Sequence, residues 1–367
     1  MLRSSEKINI IKPSKIREIT ALAPPGTISL GIGEIRLEKP ELLEKTIMKA
    51  VSCSSAGYSP NQGFISLRQK ISNYYENKIP PENICVTCGA QEALFTLCSA
   101  LIDEKTKVLI ADPSFLAYKP LIEFNKGTAQ TFSLREENNF RPDFEEIEKI
   151  LKKGIDFIIL CNPSNPLSIS FSENEMKKFS DLCEKYDCFI IADEVYRELY
   201  IESRPPSFND FTERAFVISS FSKSMMLAGW RIGWFTVPDA EAEKFIRIHQ
   251  FIVTCAPVIS QKTAELLFSE TGEKINAEIR EKLGKNYKII NDFLRGKSDF
   301  IKITSSNAFP YLWCKVNQND EDFVKKMLVQ KLAFIPGSAF GRNGKNHIRI
   351  CYALEKERLE KALQIMS

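Results

Sequence analysis

A chain of 367 residues, 44% apolar and 26% charged with no low-complexity tract, is long enough to bury a large core and reads as folded and globular. Its 50 basic and 47 acidic residues leave a net charge of +3 without a dense Lys/Arg block, which excludes nucleic acid and an anionic membrane as the main partner. No apolar run approaches the length of a membrane span, and the opening MLRSSEKINIIKPSK has no signal-peptide core.

The ten cysteines fall in apolar stretches such as Leu97–Cys98 and Leu160–Cys161, as expected of reduced thiols in a cytoplasm. Cys85 and Cys88 form a CxxC, but no second pair answers it and the only histidines are His249 and His347. The pair also lies in the strand-like ICVTC, where side chains alternate faces, so no metal site is expected.

In chain order, a helix is expected over Ser14–Ala23, followed by the apolar ISLGIG, where Gly31 and Gly33 flank Ile32 and allow close backbone approach. Helices over Pro40–Ser52 and Phe64–Asn77 enclose the turn-rich AGYSPNQG. Strand patterns then appear at Ile84–Thr87, Lys107–Ala111, Ala129–Phe132, Asp156–Cys161, Cys188–Ala192, Phe216–Ser219 and Ile232–Val237. Helical patterns at Gln91–Ile102, Phe144–Lys152 and Glu173–Tyr186 fall between several of them. This alternation predicts an α/β fold with a mostly parallel, seven-stranded sheet covered on both faces.

Beyond Asp239 the chain reads as helical over Ala240–Ile252, Ile259–Glu270 and Ile275–Leu294. It closes with FPYLWCKV, a helix at Asp320–Gln330, the turn PGSAFG, the strand HIRICYA and a helix at Glu355–Met366. The expected division is a large domain over 41–257, connecting helices over 258–294, and a smaller α+β domain built from 1–40 with 295–367.

The strand ends carry the chemistry. ICVTC ends in Gly89-Ala90-Gln91 and turns into a helix, whose free N–H groups make an anion site. VLIA ends in Asp112-Pro113-Ser114-Phe115, bringing an aromatic ring to the same edge. FIILC ends in Asn162-Pro163-Ser164-Asn165-Pro166, a stiff turn that fixes two amides. FIIA ends in Asp193-Glu194-Val195-Tyr196, and VISS ends at Ser220, Ser222 and Lys223, with Arg231 following. Each motif alone has a bland reading as cap, core or turn. Together they ask for a ligand with a phosphate, a flat ring, a ring nitrogen that wants an anion, and a carbonyl for an amine. Pyridoxal phosphate has all four, whereas the GxGxxG of a nicotinamide site is absent.

In motif order, SLGIGE, GYSPNQGFISLR, VTCGAQEAL, DPSFLAY, CNPSNP, IADEVY, SFSKSMMLAGWRIGW, IPGSAFG and HIRICYA run from about Ile28 to Ala353. This series resembles the class I/II aminotransferases, the aspartate-aminotransferase-like group of fold-type I pyridoxal-phosphate enzymes. The resemblance implies that Lys223 forms the Schiff base and moves the proton between Cα and the cofactor's C4′. Asp193 would keep the pyridine nitrogen protonated, the electron sink of the reaction. Tyr196 and Asn165 would bond the cofactor's phenolic oxygen, and Phe115 would stack on its ring. Ala90, Gln91, Ser220, Ser222 and Arg231 would hold the phosphate. Tyr58 would reach the phosphate of a neighbouring subunit, making a homodimer with shared sites. Arg349 would take the substrate α-carboxylate, with Gly33 closing over it. Burial and Arg231 are both expected to lower the pKa of Lys223 from its free value of roughly 10.4.

The implied activity is transfer of an L-amino acid's amine to a 2-oxo acid by a ping-pong route. The alternatives are a C–S β-lyase or an amino-acid decarboxylase on the same scaffold, or an idle cofactor-sensing module. The last is disfavoured by the presence of Lys223 and by SLGIGE starting at Ser29, which leaves no room for a preceding DNA-binding domain. Three departures from the family pattern stand out. The usual Asn-Pro-Thr-Gly is Asn165-Pro166-Leu167-Ser168, the usual Gly-Glu-Pro is Gly33-Glu34-Ile35, and Phe115 replaces Tyr or Trp.

Overall fold

The computed structural model describes residues 5–238 and 242–367. Among these, thirteen strands occur in chain order. They are β1 (Ile28–Ser29), β2 (Ile84–Thr87), β3 (Lys107–Asp112), β4 (Thr128–Ser133), β5 (Phe157–Cys161), β6 (Phe189–Asp193) and β7 (Ala215–Ser220). There follow β8 (Gly233–Thr236), β9 (Phe300–Ile303), β10 (Tyr311–Val316), β11 (Leu332–Ala333), β12 (Ile335–Pro336) and β13 (His347–Cys351).

Seven strands form the large sheet in the order β2-β8-β7-β6-β5-β3-β4. The run from β7 to β4 pairs in parallel, while β8 is antiparallel to both its neighbours. The central strands read FIILC, FIIAD and AFVISS and are buried along nearly their whole length, as coverage on both faces demands. The helix Glu173–Lys185 packs on β6 and starts with a reciprocal capping box between Ser172 and Glu175. The helix Ala90–Leu101 packs on β2, β7 and β8. Because β8 runs against the others, its beginning lies at the edge where the parallel strands end; Gly233 pairs with both Thr87 and Ser220.

A second sheet, β12-β13-β10-β9, is antiparallel. The early β1 pairs in parallel with β11, tying the opening segment to the C-terminal part. A 26-residue helix, Glu270–Arg295, packs against β9, the last helix Lys356–Ile365 and the helix Glu41–Ser52.

The mostly parallel seven-stranded sheet and the smaller mixed unit match the expected fold class, and the seven large-sheet strands begin and end within one residue of expectation. The differences have local causes. Tyr118–Phe124 is a helix that the sequence hid, being short and holding Pro120. The helix expected to Asn77 ends at Tyr74, after which Glu76 and Asn77 adopt φ of 56° and 59°. The edge strand β9 is half-exposed and lacks an apolar run. Of the helix expected from Ala240, the described part is Ala242–Val253; Ala240 and Glu241 lie outside the described residues.

Candidate active site

A cavity of about 580 Å³ opens at the carboxyl edge of β5, β6 and β7, facing β13. Ligand sites in open α/β sheets fall at this edge. Gly33, Ala90, Gln91, Phe115, Asn165, Asp193, Tyr196, Ser220, Ser222, Lys223, Arg231 and Arg349 all line it. Tyr58 does not; it is 87% exposed on the outside of this chain.

Lys223 sits in the four-residue helix Phe221–Ser224 directly after β7, and its Nζ donates to the Gly33 carbonyl at 2.5 Å. Burial in the cavity lowers its pKa, and the Arg349 guanidinium pushes the same way. This second cation differs from expectation. The Arg231 guanidinium is turned to the carbonyls of Ala228 and Cys88 at 2.7 and 3.0 Å.

Asp193, the last residue of β6, is buried and accepts from the Tyr118 hydroxyl at 2.6 Å and from the Val195 N–H at 3.4 Å. Burial pushes its carboxyl pKa up, against the pull of these bonds and of Lys223. Among the described residues no ion pair compensates it. A buried carboxylate with one strong neutral donor is a site for a cationic N–H.

Arg349 has the opposite character. It is 1% exposed in the middle of β13, where Nη1 donates to Asn165 Oδ1 at 2.7 Å and Nη2 to the Gly31 carbonyl at 2.5 Å. Its guanidinium lies over the rings of Tyr311 and Phe340 at 4.4 and 4.8 Å. Nε is buried without a partner, and among the described residues no carboxylate pairs with it. A buried guanidinium held only by neutral acceptors is poised for an anion.

At the other end of the cavity, Gly89 (φ +83°) caps the helix Ala90–Leu101 without a side-chain acceptor, so its first N–H groups stay available. A Cβ at Gly89 would meet the Arg231 guanidinium at 2.6 Å, and one at Gly233 would meet the Ala90 nitrogen at 2.8 Å. These glycines let β2, β8 and the helix start converge. Ser220 Oγ donates to the Ile232 carbonyl at 2.8 Å, accepts from the Ser222 N–H at 2.9 Å and lies 2.7 Å from Ser222 Oγ. Exposed Arg231, in a left-handed conformation (φ +53°), completes this cationic end. Phe115 lies half-buried against Tyr118, ring edge to face at 5.5 Å.

Three residues at the site carried too little sequence signal to be found. Tyr118 belongs to the unrecognised helix, Arg17 to an ordinary amphipathic one, and Tyr311 to an apolar strand that reads as core. Tyr311 bonds its hydroxyl to that of Tyr196 at 2.7 Å. Glu34, followed by Ile35 where the usual pattern has Pro, pairs with Arg36 at 2.5 Å, and both line the cavity.

Residues 25–366 match the family described as Aminotransferase class I and II. The chain belongs to that family and is an aminotransferase. It is 34% identical, over 99% of its length and 98% of the relative's, to a probable aspartate aminotransferase of Methanocaldococcus jannaschii. A solved aromatic aminotransferase from Pyrococcus horikoshii matches 96% of this chain and 97% of its own, with a TM-score of 0.86 and 26% identity. A single mutant of the Thermus thermophilus aspartate aminotransferase superposes with a TM-score of 0.91 over 100% of this chain and 99% of that one, at 21% identity. The aminotransferase therefore has the aspartate-aminotransferase-like fold.

Proposed function

We propose that this aminotransferase uses pyridoxal 5′-phosphate and exchanges the amine of an L-amino acid with a 2-oxo acid through Lys223. The observation that carries this is the pair of uncompensated buried charges in one cavity, Asp193 wanting a cation and Arg349 wanting an anion. A pyridinium N–H and a substrate carboxylate answer them, and the residues present fit both groups.

When bound, the cofactor supplies an aldehyde for amines and a ring that withdraws electrons from the substrate's Cα. The chain supplies the rest. Asp193 holds the proton on the ring nitrogen, and Tyr118 fixes that carboxylate. The Ala90 and Gln91 N–H groups, Ser220, Ser222 and Arg231 bind the phosphate, and Phe115 covers the ring. Tyr196 and Asn165 donate to the phenolic oxygen. Arg349 orients the α-carboxylate, with Asn165 and Gly33 bordering it. Lys223, its pKa lowered by burial, is the base that carries a proton between Cα and C4′.

Tyr58, exposed on a single chain, fits a role in a neighbouring subunit's phosphate site and supports a homodimer. We assign 41–257 to a cofactor-binding domain, 1–40 with 295–367 to a small domain, and 258–294 to the connection, supported by the β1–β11 pairing. Ten free cysteines support a cytoplasmic setting.

The test is to purify the protein with the cofactor and mix it with single amino acids and 2-oxoglutarate. The bound cofactor's visible absorbance should exchange between its aldehyde and amine forms, and Lys223→Ala should lose the lysine-linked band. Release of pyruvate and ammonia from a cysteine conjugate without that exchange would defeat the reading.

A further inference from the structure

We infer that Tyr311 is a positioning residue for Tyr196, donating its hydroxyl proton so that the Tyr196 proton stays directed at the bound cofactor, and that Ser168 holds Tyr311 in place. The inference rests on the cofactor reading above.

The hydrogen-bond directions leave little freedom. Arg349 Nη1 donates to Asn165 Oδ1, which turns Asn165 Nδ2 toward Tyr196, where it donates to the hydroxyl at 3.3 Å. The Tyr196 oxygen therefore already accepts one bond. Its second neighbour is the Tyr311 hydroxyl at 2.7 Å. If Tyr311 donates, Tyr196 accepts twice and keeps its own proton for the cavity. If Tyr196 donates to Tyr311, its proton is spent on protein.

Two features favour donation by Tyr311. The Arg349 guanidinium, 4.4 Å from its ring centroid, stabilises negative charge on that phenol. The Tyr311 hydroxyl also has no other hydrogen-bond acceptor among the described residues, so its proton goes to Tyr196 or goes unbonded, and a buried unmade bond is costly.

The position of Tyr311 is fixed by the chain's own departure from the family turn. Ser168 stands in a left-handed conformation (φ +52°) where the usual pattern has Gly. Its Oγ accepts the Tyr311 N–H at 3.0 Å, and its carbonyl accepts from Asn307 and Ala308 at 3.2 Å each. Room for the phenol comes from Gly33, where a Cβ would strike the Tyr311 hydroxyl. The strain of a non-glycine at Ser168 is thus offset by bonds that seat Tyr311.

Tyr311→Phe keeps the ring under Arg349 and removes only the donor. With the cofactor bound, its visible absorbance is titrated against pH in wild type, Tyr311→Phe, Ser168→Gly and Tyr196→Phe, with thermal melting to confirm folding. Tyr196 stabilises the deprotonated chromophore by donating to it, so losing its support should raise the midpoint. The expected rise in Tyr311→Phe is about 0.5–1 pH unit, the size of one net hydrogen bond. Ser168→Gly should shift it the same way by less. Adding Tyr311→Phe to Tyr196→Phe should move nothing further. A folded Tyr311→Phe protein that titrates like wild type overturns the inference even if its activity falls. A wild-type protein that shows no cofactor band overturns the functional reading, and this inference with it.

Discussion

Arg349→Lys offers a sharp test of how the substrate is held. The substitution keeps a positive charge at the same buried point of β13 but replaces a planar fork with a single ammonium. In the structure the two terminal nitrogens are spread between Asn165 Oδ1 at 2.7 Å and the Gly31 carbonyl at 2.5 Å, and Nε has no partner. A lysine cannot satisfy both neutral acceptors and also bind two carboxylate oxygens. The loss is one charge-assisted hydrogen bond, about 1.5–3 kcal/mol. That corresponds to roughly 10- to 150-fold in kcat/KM. Initial rates should be measured for an acidic donor, an aromatic donor and the 2-oxo acid acceptor. Both half-reactions present the same α-carboxylate, so all three should fall by similar factors. An unreactive carboxylate ligand should raise the melting temperature of wild type more than that of the variant. A loss below about threefold, or one confined to a single side-chain class, would place the α-carboxylate elsewhere.

Three other outcomes are expected. Burial raises the Glu194 carboxyl from 4.5 to about 7, so the folded state holds a proton that the unfolded chain releases. Stability from this group is complete below pH 4.5 and lost as pH rises through about 7, at most about 3 kcal/mol; denaturant unfolding of Glu194→Gln should show a flatter pH dependence, and equal slopes would refute it. Arg17 lines the cavity, is exposed, and pairs with no carboxylate among the described residues; Arg17→Ala should cut kcat/KM for an acidic donor by about 2- to 5-fold and leave an aromatic donor unchanged. For Tyr58, sedimentation should give twice the chain mass, and Tyr58→Phe should weaken cofactor binding about tenfold, one hydrogen bond to a charged group; unchanged affinity would argue against a shared site.

Most of the large sheet was legible because its strands are buried on both faces and bounded by turn residues. Runs such as FIILC and AFVISS admit few other readings, and their expected ends lie within one residue of the observed ones. The elements that stayed hidden lack such contrast. β9 is half-exposed at a sheet edge, and Tyr118–Phe124 is too short for a helical period to declare itself. The lower pKa of Lys223 was foreseen, but the cation beside it was assigned by chain proximity. Arg231 is eight residues away in sequence and turned to backbone carbonyls, whereas Arg349 arrives from β13. Sequence distance ranks neighbours badly where a second sheet closes over the first.

Tyr311 shows the same limit from the other side. In the sequence it is one aromatic in an apolar strand, and hydrophobic alternation assigns it to the core, where its ring does lie. What a pattern cannot express is that a phenol carries a proton whose direction depends on four other residues. Arg349 orients Asn165, Asn165 occupies one lone pair of Tyr196, Tyr311 occupies the other, and Ser168 seats Tyr311. The effect of replacing Thr-Gly by Leu167-Ser168 is felt more than 140 residues downstream, at a backbone N–H, where no motif can show it. A motif records which groups meet a ligand. The residues that decide which way those groups point are spread through the small sheet and the turn, and only the folded contacts connect them.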